Sequence, residues 1–442
     1  MSTLATQLAV EPRFRASFVR LAAALICLAA EPSWAETIYV PRDFASIAAA
    51  TRAAAPYDTI IVAAGRYDES VVLDKPITLL GEQRGTSPSA AARSGGESTI
   101  AGRFPIRITS PEVRIIGFEI TDFEQGITIE AQLDLSAVSS TKGAYDITIS
   151  ENWIHSEQPA VRAGVRTTTH SARNLLISRN LIDVRDGSPS TAPHAAIELN
   201  GSPERSEPLH YQNVVVSSNI LQNRDGNSEQ EGGYGLFGGA RSASDIIEGL
   251  VVQRNYFRNA TYGANFNVQN VLQGIFSGNI IEDAAGALGF YSGTISGNTF
   301  RSGGRLVLWA TTFDPVTTGE STSSLRLVSV RNNEFSGEVT GRAVTVGYGI
   351  LSSTISLRRN AFRNSGISGE LVQNFATGVL HAPTNWWDNS SGPAAHTGSL
   401  LGPIDTSLWL EYSDEHPDAW QAPDYWPFSV QEHRSPGFWP AR

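Results

Sequence analysis

The stretch 147–155, ITISENWIH, returns in altered form as 175–183, LLISRNLID, as 214–222, VVVSSNILQ, and as 250–258, LVVQRNYFR. Each has an asparagine with an apolar residue three places before it and another two places after. The same setting holds at Asn152, Asn180, Asn219, Asn255, Asn279, Asn298, Asn333, Asn360 and Asn385. Three before them stand Ile149, Ile177, Val216, Val252, Phe276, Ile295, Val330, Leu357 and the weaker Ala382. Two after stand Ile154, Ile182, Leu221, Phe257, Ile281, Phe300, Phe335, Phe362 and Trp387. Asparagine readily takes positive φ, so it is expected to turn the chain between two short strands. Strand alternation then sends the minus-three and plus-two residues inward and the plus-three residue outward. The plus-three residues, His155, Asp183, Gln222, Arg258, Glu282, Arg301, Ser336, Arg363 and Asp388, are all polar.

Successive asparagines lie between 19 and 39 residues apart. Short strands and turns recurring roughly every 20–30 residues are the signature of a β-solenoid, whose coils bury their faces only against their neighbours. The reading is an all-β, single-stranded parallel β-helix. Stacking would place equivalent residues about 4.8 Å apart, so the asparagines are expected to form a hydrogen-bonded ladder. Length alone would suggest two or three domains for 442 residues, but a solenoid grows without widening its core, and one elongated domain is expected.

Outside the repeats, residues 1–35 read as a signal peptide. Arg13, Arg15 and Arg20 precede an apolar run from Leu21 to Ala30, and Ser33-Trp34-Ala35 is a small-x-small cleavage site. The run is too short for a permanent bilayer span. Cys27 lies inside it after Ile26, where a lipoprotein signal wants a small residue. Cleavage removes the only Cys and the only Met, and shifts the net charge from −11 to −12, since three basic and two acidic side chains leave. No disulfide then supports the fold, and a secreted or periplasmic location is expected. The acidic balance argues against nucleic acid or an anionic membrane as partner.

Residues 36–57 read as a cap. Thr37 to Val40 form a strand, and Asp43 starts a short helix running through Ala54, with Phe44, Ile47 and Ala48 on one side. Such a helix would cover the open end of the solenoid. Strands are expected at Thr59 to Val62, Val71 to Leu73 and Ile77 to Leu80. The β-helix is assigned to 58–402, followed at 403–442 by a strand and an aromatic, proline-rich capping tail.

The run from Ile38 through Gly81, including YVPRDFASIAAA and the GRYDE of Gly65 to Glu69, resembles the opening segment of right-handed parallel β-helix proteins of the pectin-lyase-like superfamily. The Asn-turn coils resemble the parallel-β-helix repeats of that group. TNWWDNSSGP at 384–393 resembles the Asn-Trp-Trp…Gly-Pro segment that closes many bacterial members, with Asp388 replacing the usual glycine. The resemblance spans roughly residues 37–412 and implies a right-handed helix and a polysaccharide as partner. Its enzymes imply motifs that this sequence lacks: the Gln-Asp-Thr and Asp-Phe-Ile-Phe-Gly of pectin methylesterases, the Asp-Asp pair and Gly-His-Gly of polygalacturonase-type hydrolases, and the Asp-Pro-His of alginate epimerases.

Two places attract a site. The intervals from Asn180 to Asn219 and from Asn219 to Asn255 exceed a bare coil, and both carry Arg-Asp-Gly at the same phase, with Asp186 and Asp225 six residues after the asparagine. At strand spacing such a carboxylate pair can hold Ca²⁺, or act as acid and nucleophile or base on a glycosidic bond; equally, Asp-Gly can simply serve a turn. The second place is an outward strand strip. Taking Gly126, Gly164, Ala196, Gly235 and Gly263 as equivalent gives a first row of Thr128, Arg166, Glu198, Phe237 and Asn265. A second row reads Glu130, Thr168, Asn200, Gly239 and Asn267, continued by Tyr291 and Trp309.

This strip mixes hydrogen-bonding groups with flat apolar rings, as sugars require. In the resembling family it is also the face along which a polysaccharide lies. The leading expectation is a monomeric secreted protein that binds a polysaccharide there; if it also cleaves it, as lyase or hydrolase, the residues expected to do so are Glu198, Asp186 and Asp225, with Arg166 orienting or activating the substrate. Asn200, Asn265, Asn267, Tyr291 and Trp309 would be its binding residues. The alternative is a non-catalytic periplasmic or cell-surface scaffold. Lysine is nearly absent, Lys75 and Lys142 alone, so a lyase base would be Arg166, Arg224 or a histidine. No two histidines have metal-ligand spacing, and no zinc or copper site is expected.

Overall fold

The computed structural model describes residues 35–409, apart from 87, 89–92, 94, 131–143, 159–160, 170, 187–194, 201–207, 226–232, 239–244, 260–265, 283–284, 309–326, 337–342, 348–353, 364–370 and 388–399. Residues 1–34 of the expected signal peptide and the aromatic tail from 410 onward lie outside the described residues. No helix among the described residues is long and apolar enough to cross a membrane.

The architecture is an all-β parallel β-helix. The strands that follow the turn asparagines from Asn152 to Asn360 stack, behind three earlier ones, in one sheet of 11 among the described residues, in chain order from Gly65–Asp68 to Ala361–Arg363. Strands preceding the turn stack on a second face, for example Ala144–Ser150 on Ser171–Ser178 and Val251–Gln253 on Gly274–Ser277. A third row of strands runs through Gln125–Ile129, Ala163–Thr167, Ala195–Leu199, Tyr234–Gly238 and Phe266–Leu272. Every recorded register is parallel, which requires each coil to return to its start before the next begins.

The asparagines sit at the corner between the first two faces and are 0–1 % exposed. Each from Asn152 to Asn360 donates through Nδ2 to Oδ1 of the next, at 2.8–3.1 Å, and its backbone N–H donates to the same oxygen. The second Nδ2 hydrogen goes to a carbonyl one coil back, as from Asn219 to Ile177 and from Asn255 to Val216. Phe118 holds the corresponding position one coil before Asn152, where its N–H closes the ladder by donating to Asn152 Oδ1.

The reason for asparagine differs from the expected one. The left-handed residue of the turn is the one before it: Glu151, Arg179, Ser218, Arg254, Asn332, Arg359 and Thr384 have φ between 53° and 58°, and Gly278 and Gly297 have 61° and 64°. Asparagine is needed for its side-chain amide, which reproduces a peptide group's donor and acceptor inside the wall. Positive-φ asparagine does occur at a second, outer bend six residues earlier, at Asn174 and Asn213. There Asn213 donates to Asn174, which donates to Asp146, also left-handed.

The plus-two residues point inward, as the alternation requires. Phe300, Phe335, Phe362 and Trp387 are fully buried and stack with centroids 4.6–5.1 Å apart and planes within 12°. The plus-three row is less simple. His155 is partly exposed and stands opposite Asp183, but Asp183 is only 3 % exposed and Glu282 8 %, correcting the expectation of a solvated row. Beside them on the same outer side, Leu181, Ile220, Tyr256 and Ile280 form a small apolar cluster with Trp153, which removes water from this surface. His155 bonds not Asp183 but Glu119 of the previous coil, at 2.9 Å, and stacks on Trp153. Burial alone would raise the Glu119 carboxyl, yet the hydrogen bonds from His155 and Thr99 outweigh it and carry the group below its ordinary range.

At the N-terminal end, the strands Thr37–Val40, Thr59–Val62, Val71–Leu73 and Thr78–Leu80 match the expected ones to within a residue. The helix, Ile47–Ala53, is shorter than expected and is capped by Ser46 rather than Asp43. Asp43 instead turns back to accept from the Tyr39 N–H. The Glu69 carboxylate takes the N–H groups of Ile47 and Ala48, and the Lys75 ammonium donates to the carbonyls of Arg52 and Ala54 at 2.8 and 2.7 Å. An acid at the N-terminus and a cation at the C-terminus both complement the helix dipole.

Candidate functional site

The outward row on the third face runs, in Cα register across successive strands, through Arg107, Thr128, Arg166, Glu198, Phe237 and Asn267. Its direction follows from the alternate residues: Ile106, Ile127, Val165, Ile197, Leu236 and Phe266 are at most 1 % exposed and belong to the core. Arg107 is exposed, Phe237 and Asn267 are half-buried, and Arg166 and Glu198 are 7 % and 0 % exposed.

Glu198 is held by two guanidinium groups. Arg162 donates from Nη2 to Oε1 and from Nε to Oε2, at 3.2 and 3.3 Å. Arg166 Nε forms an ion pair with Oε2 at 3.0 Å, while its Nη1 donates to Gln125 Oε1 at 2.9 Å. Burial lowers the Arg166 pKa from its ordinary value, opposed by the adjacent Glu198 charge. This carboxylate has no accessible surface, and both its oxygens lie against guanidinium groups. What it does is fix two cations on the outer wall, at a desolvation cost that removing either partner would expose.

Arg162 and Gln125 are functional neighbours that the sequence reading missed. Arg162 stands four residues before Arg166, a spacing that returns to one side of a strand, and that was its only signal. Beyond Glu198, the ring of Phe237 lies 5.0 Å from that of Tyr234. Arg107 and Glu130 add an ion pair at 3.5 Å on the N-terminal side.

The expected rows need correction from Phe237 onward. Phe266 takes the inward position beside Leu236, and its ring packs between Phe257 and Phe276 at 5.4 and 4.6 Å. Gly286 opposite makes room for that ring: a Cβ there would meet Phe266 Cζ at 1.9 Å. Asn267 therefore belongs to the first row, beside Phe237, and not to the second. Asn265 and Trp309 lie outside the described residues. Tyr291 does not continue the second row: it follows the strand Ala285–Phe290, whose register slips between Val268 and Val271, and it is 4 % exposed. Asn200 is in the second row and buried, with Oδ1 accepting no hydrogen bond.

The backbones of Asp186 and Asp225 are register partners on adjacent strands, as are those of Arg185 and Arg224. They belong to the sheet of 11 that follows the asparagine corner, whereas Arg166 and Glu198 belong to the other sheet. The loops 187–194 and 226–232 lie outside the described residues. Among the described residues, no three His, Cys, Asp or Glu side chains converge as metal ligands would. Comparison with protein-family models, with curated proteins and with solved structures finds no match to this chain.

Proposed function

We propose that this chain is a secreted or periplasmic β-helix protein of the pectin-lyase-like superfamily that binds a polysaccharide along the outward row from Arg107 to Asn267. The row itself carries the reading. Five strand steps of about 4.8 Å give a rigid strip about 24 Å long. Along it, guanidinium and amide groups offer hydrogen bonds to hydroxyls, and the Tyr234–Phe237 pair offers ring faces. The superfamily assignment draws on the opening run, the asparagine coils and the TNWWDNSSGP segment, and secretion on residues 1–35.

The reading is of binding without bond cleavage, because Glu198 serves to hold Arg162 and Arg166 in place. Incubating the protein with a panel of uronate-containing and neutral polysaccharides tests it. The expected result is retardation in affinity electrophoresis by at least one of them, with neither new reducing ends nor unsaturated products. Product formation would make it an enzyme; the absence of any binding would leave the scaffold alternative.

A further inference from the structure

A second surface lies on the face that precedes the asparagine corner. The residues two places before the turn asparagines stand in one register: Ser150, Ser178, Ser217, Gln253, Ser277 and Ser296, then Arg331 and Arg358. A row of small hydroxyls and one amide thus changes to arginine in two successive coils. Both arginines are exposed, and the strands that carry them are direct neighbours. Like charges directly opposite on adjacent strands are destabilising. Nothing in the wall requires them, since serine fills the same position five times earlier in the row.

The two arginines line a cleft of about 420 Å³ together with Asn332, Arg359, Pro383 and Thr384, and with Leu408 at its far side. Among the described residues, no acidic side chain is in this lining. Arg358 Nε donates to Ser356 Oγ at 2.6 Å, which orients its guanidinium. Ser329 is the register partner of Ser356, so a pair of hydroxyls borders the pair of guanidinium groups. Asn332, also in the lining, has a buried side-chain oxygen with no hydrogen-bond partner. In a chain of net charge −11, the adjacent Arg331 and Arg358, with no carboxylate among the described lining residues, are a local inversion of sign.

We infer that this cleft is an anion site, taking one oxyanion group, a carboxylate, sulfate or phosphate, between Arg331 and Arg358. Planar forks on neighbouring strands match such a group bidentately, and a shared anion cancels the repulsion between them. The site is on a different face from the proposed glycan strip and does not rest on that reading. The anion can come free from solution or as a substituent on a larger molecule, and the probes separate these sources.

The test titrates inorganic phosphate, inorganic sulfate and glucuronate into the purified protein at constant ionic strength, following binding by calorimetry and the unfolding midpoint. The comparison is the double variant Arg331→Ser and Arg358→Ser, which restores the residue of the preceding coils and is expected to fold. Wild type should bind at least one probe and melt higher in its presence. The double variant should bind at least tenfold more weakly and, without probe at low ionic strength, should melt no lower than wild type. Tighter binding of glucuronate would identify a saccharide acid as the source, and tighter binding of the inorganic ions a free anion. Equal binding by both proteins, no binding by wild type, or an effect that chloride reproduces would overturn the inference.

Discussion

At the scale of single residues, the asparagine ladder shows how a buried polar group can be specified without cost. Each side chain offers two donors and one oxygen, and the coils above and below use all of them. Replacing Asn219 by alanine strands the Asn180 N–H and Nδ2 donors and deprives the Ile177 carbonyl of a bond. Unsatisfied buried groups cost about 1–3 kcal/mol each, so Asn219→Ala should lose roughly 3–5 kcal/mol in denaturant unfolding. A loss below about 1 kcal/mol would mean that the wall rearranges to satisfy them. Glu119 gives a pH test at the same scale. Its folded pKa is depressed, so it stabilises the protein above the ordinary carboxylate range and loses that effect as pH falls through the folded value. Wild type should therefore be more stable than Glu119→Gln at pH 7, with the gap closing in acid; a gap independent of pH would contradict this.

At the scale of elements, the helix Ile47–Ala53 has only seven residues and could not persist alone. Side chains from the first coils hold both its ends. Lys75→Met keeps an unbranched apolar stem but removes the donors to three carbonyls at the helix end. The expected loss is about 1–3 kcal/mol, with faster amide exchange at Ala50 and Ala54; unchanged exchange would show the cap to be idle. This element also marks where the sequence stopped being legible. The strands and the inward aromatic stack were readable because a period-two pattern repeats against a fixed asparagine. The cap was not, because Glu69 and Lys75 reach the helix from 16 or more residues away, and no local pattern encodes that. The strip was readable through Phe237, where strand lengths match, and failed at Phe266, where a large ring claimed the core and shifted the register by two. Arg162 escaped because its partner, Glu198, lies a whole coil away.

At the scale of the whole molecule, the parallel register turns a one-dimensional repeat into flat rows whose chemistry changes along the axis. The third face goes from arginine through a buried ion pair to an aromatic pair and an amide; the face before the corner goes from serine to arginine. Both rows are backed by the same apolar core, so a ligand would meet preorganised groups. The most direct test of the glycan reading is a calorimetric titration of the best-retained polysaccharide into wild type and into the double variant Phe237→Ala and Asn267→Ala. Two half-buried outward residues are removed, and the fold, followed by its unfolding midpoint, should hold. The account predicts saturable binding by wild type and an affinity at least tenfold weaker in the variant; equal affinities would place the glycan elsewhere and contradict it.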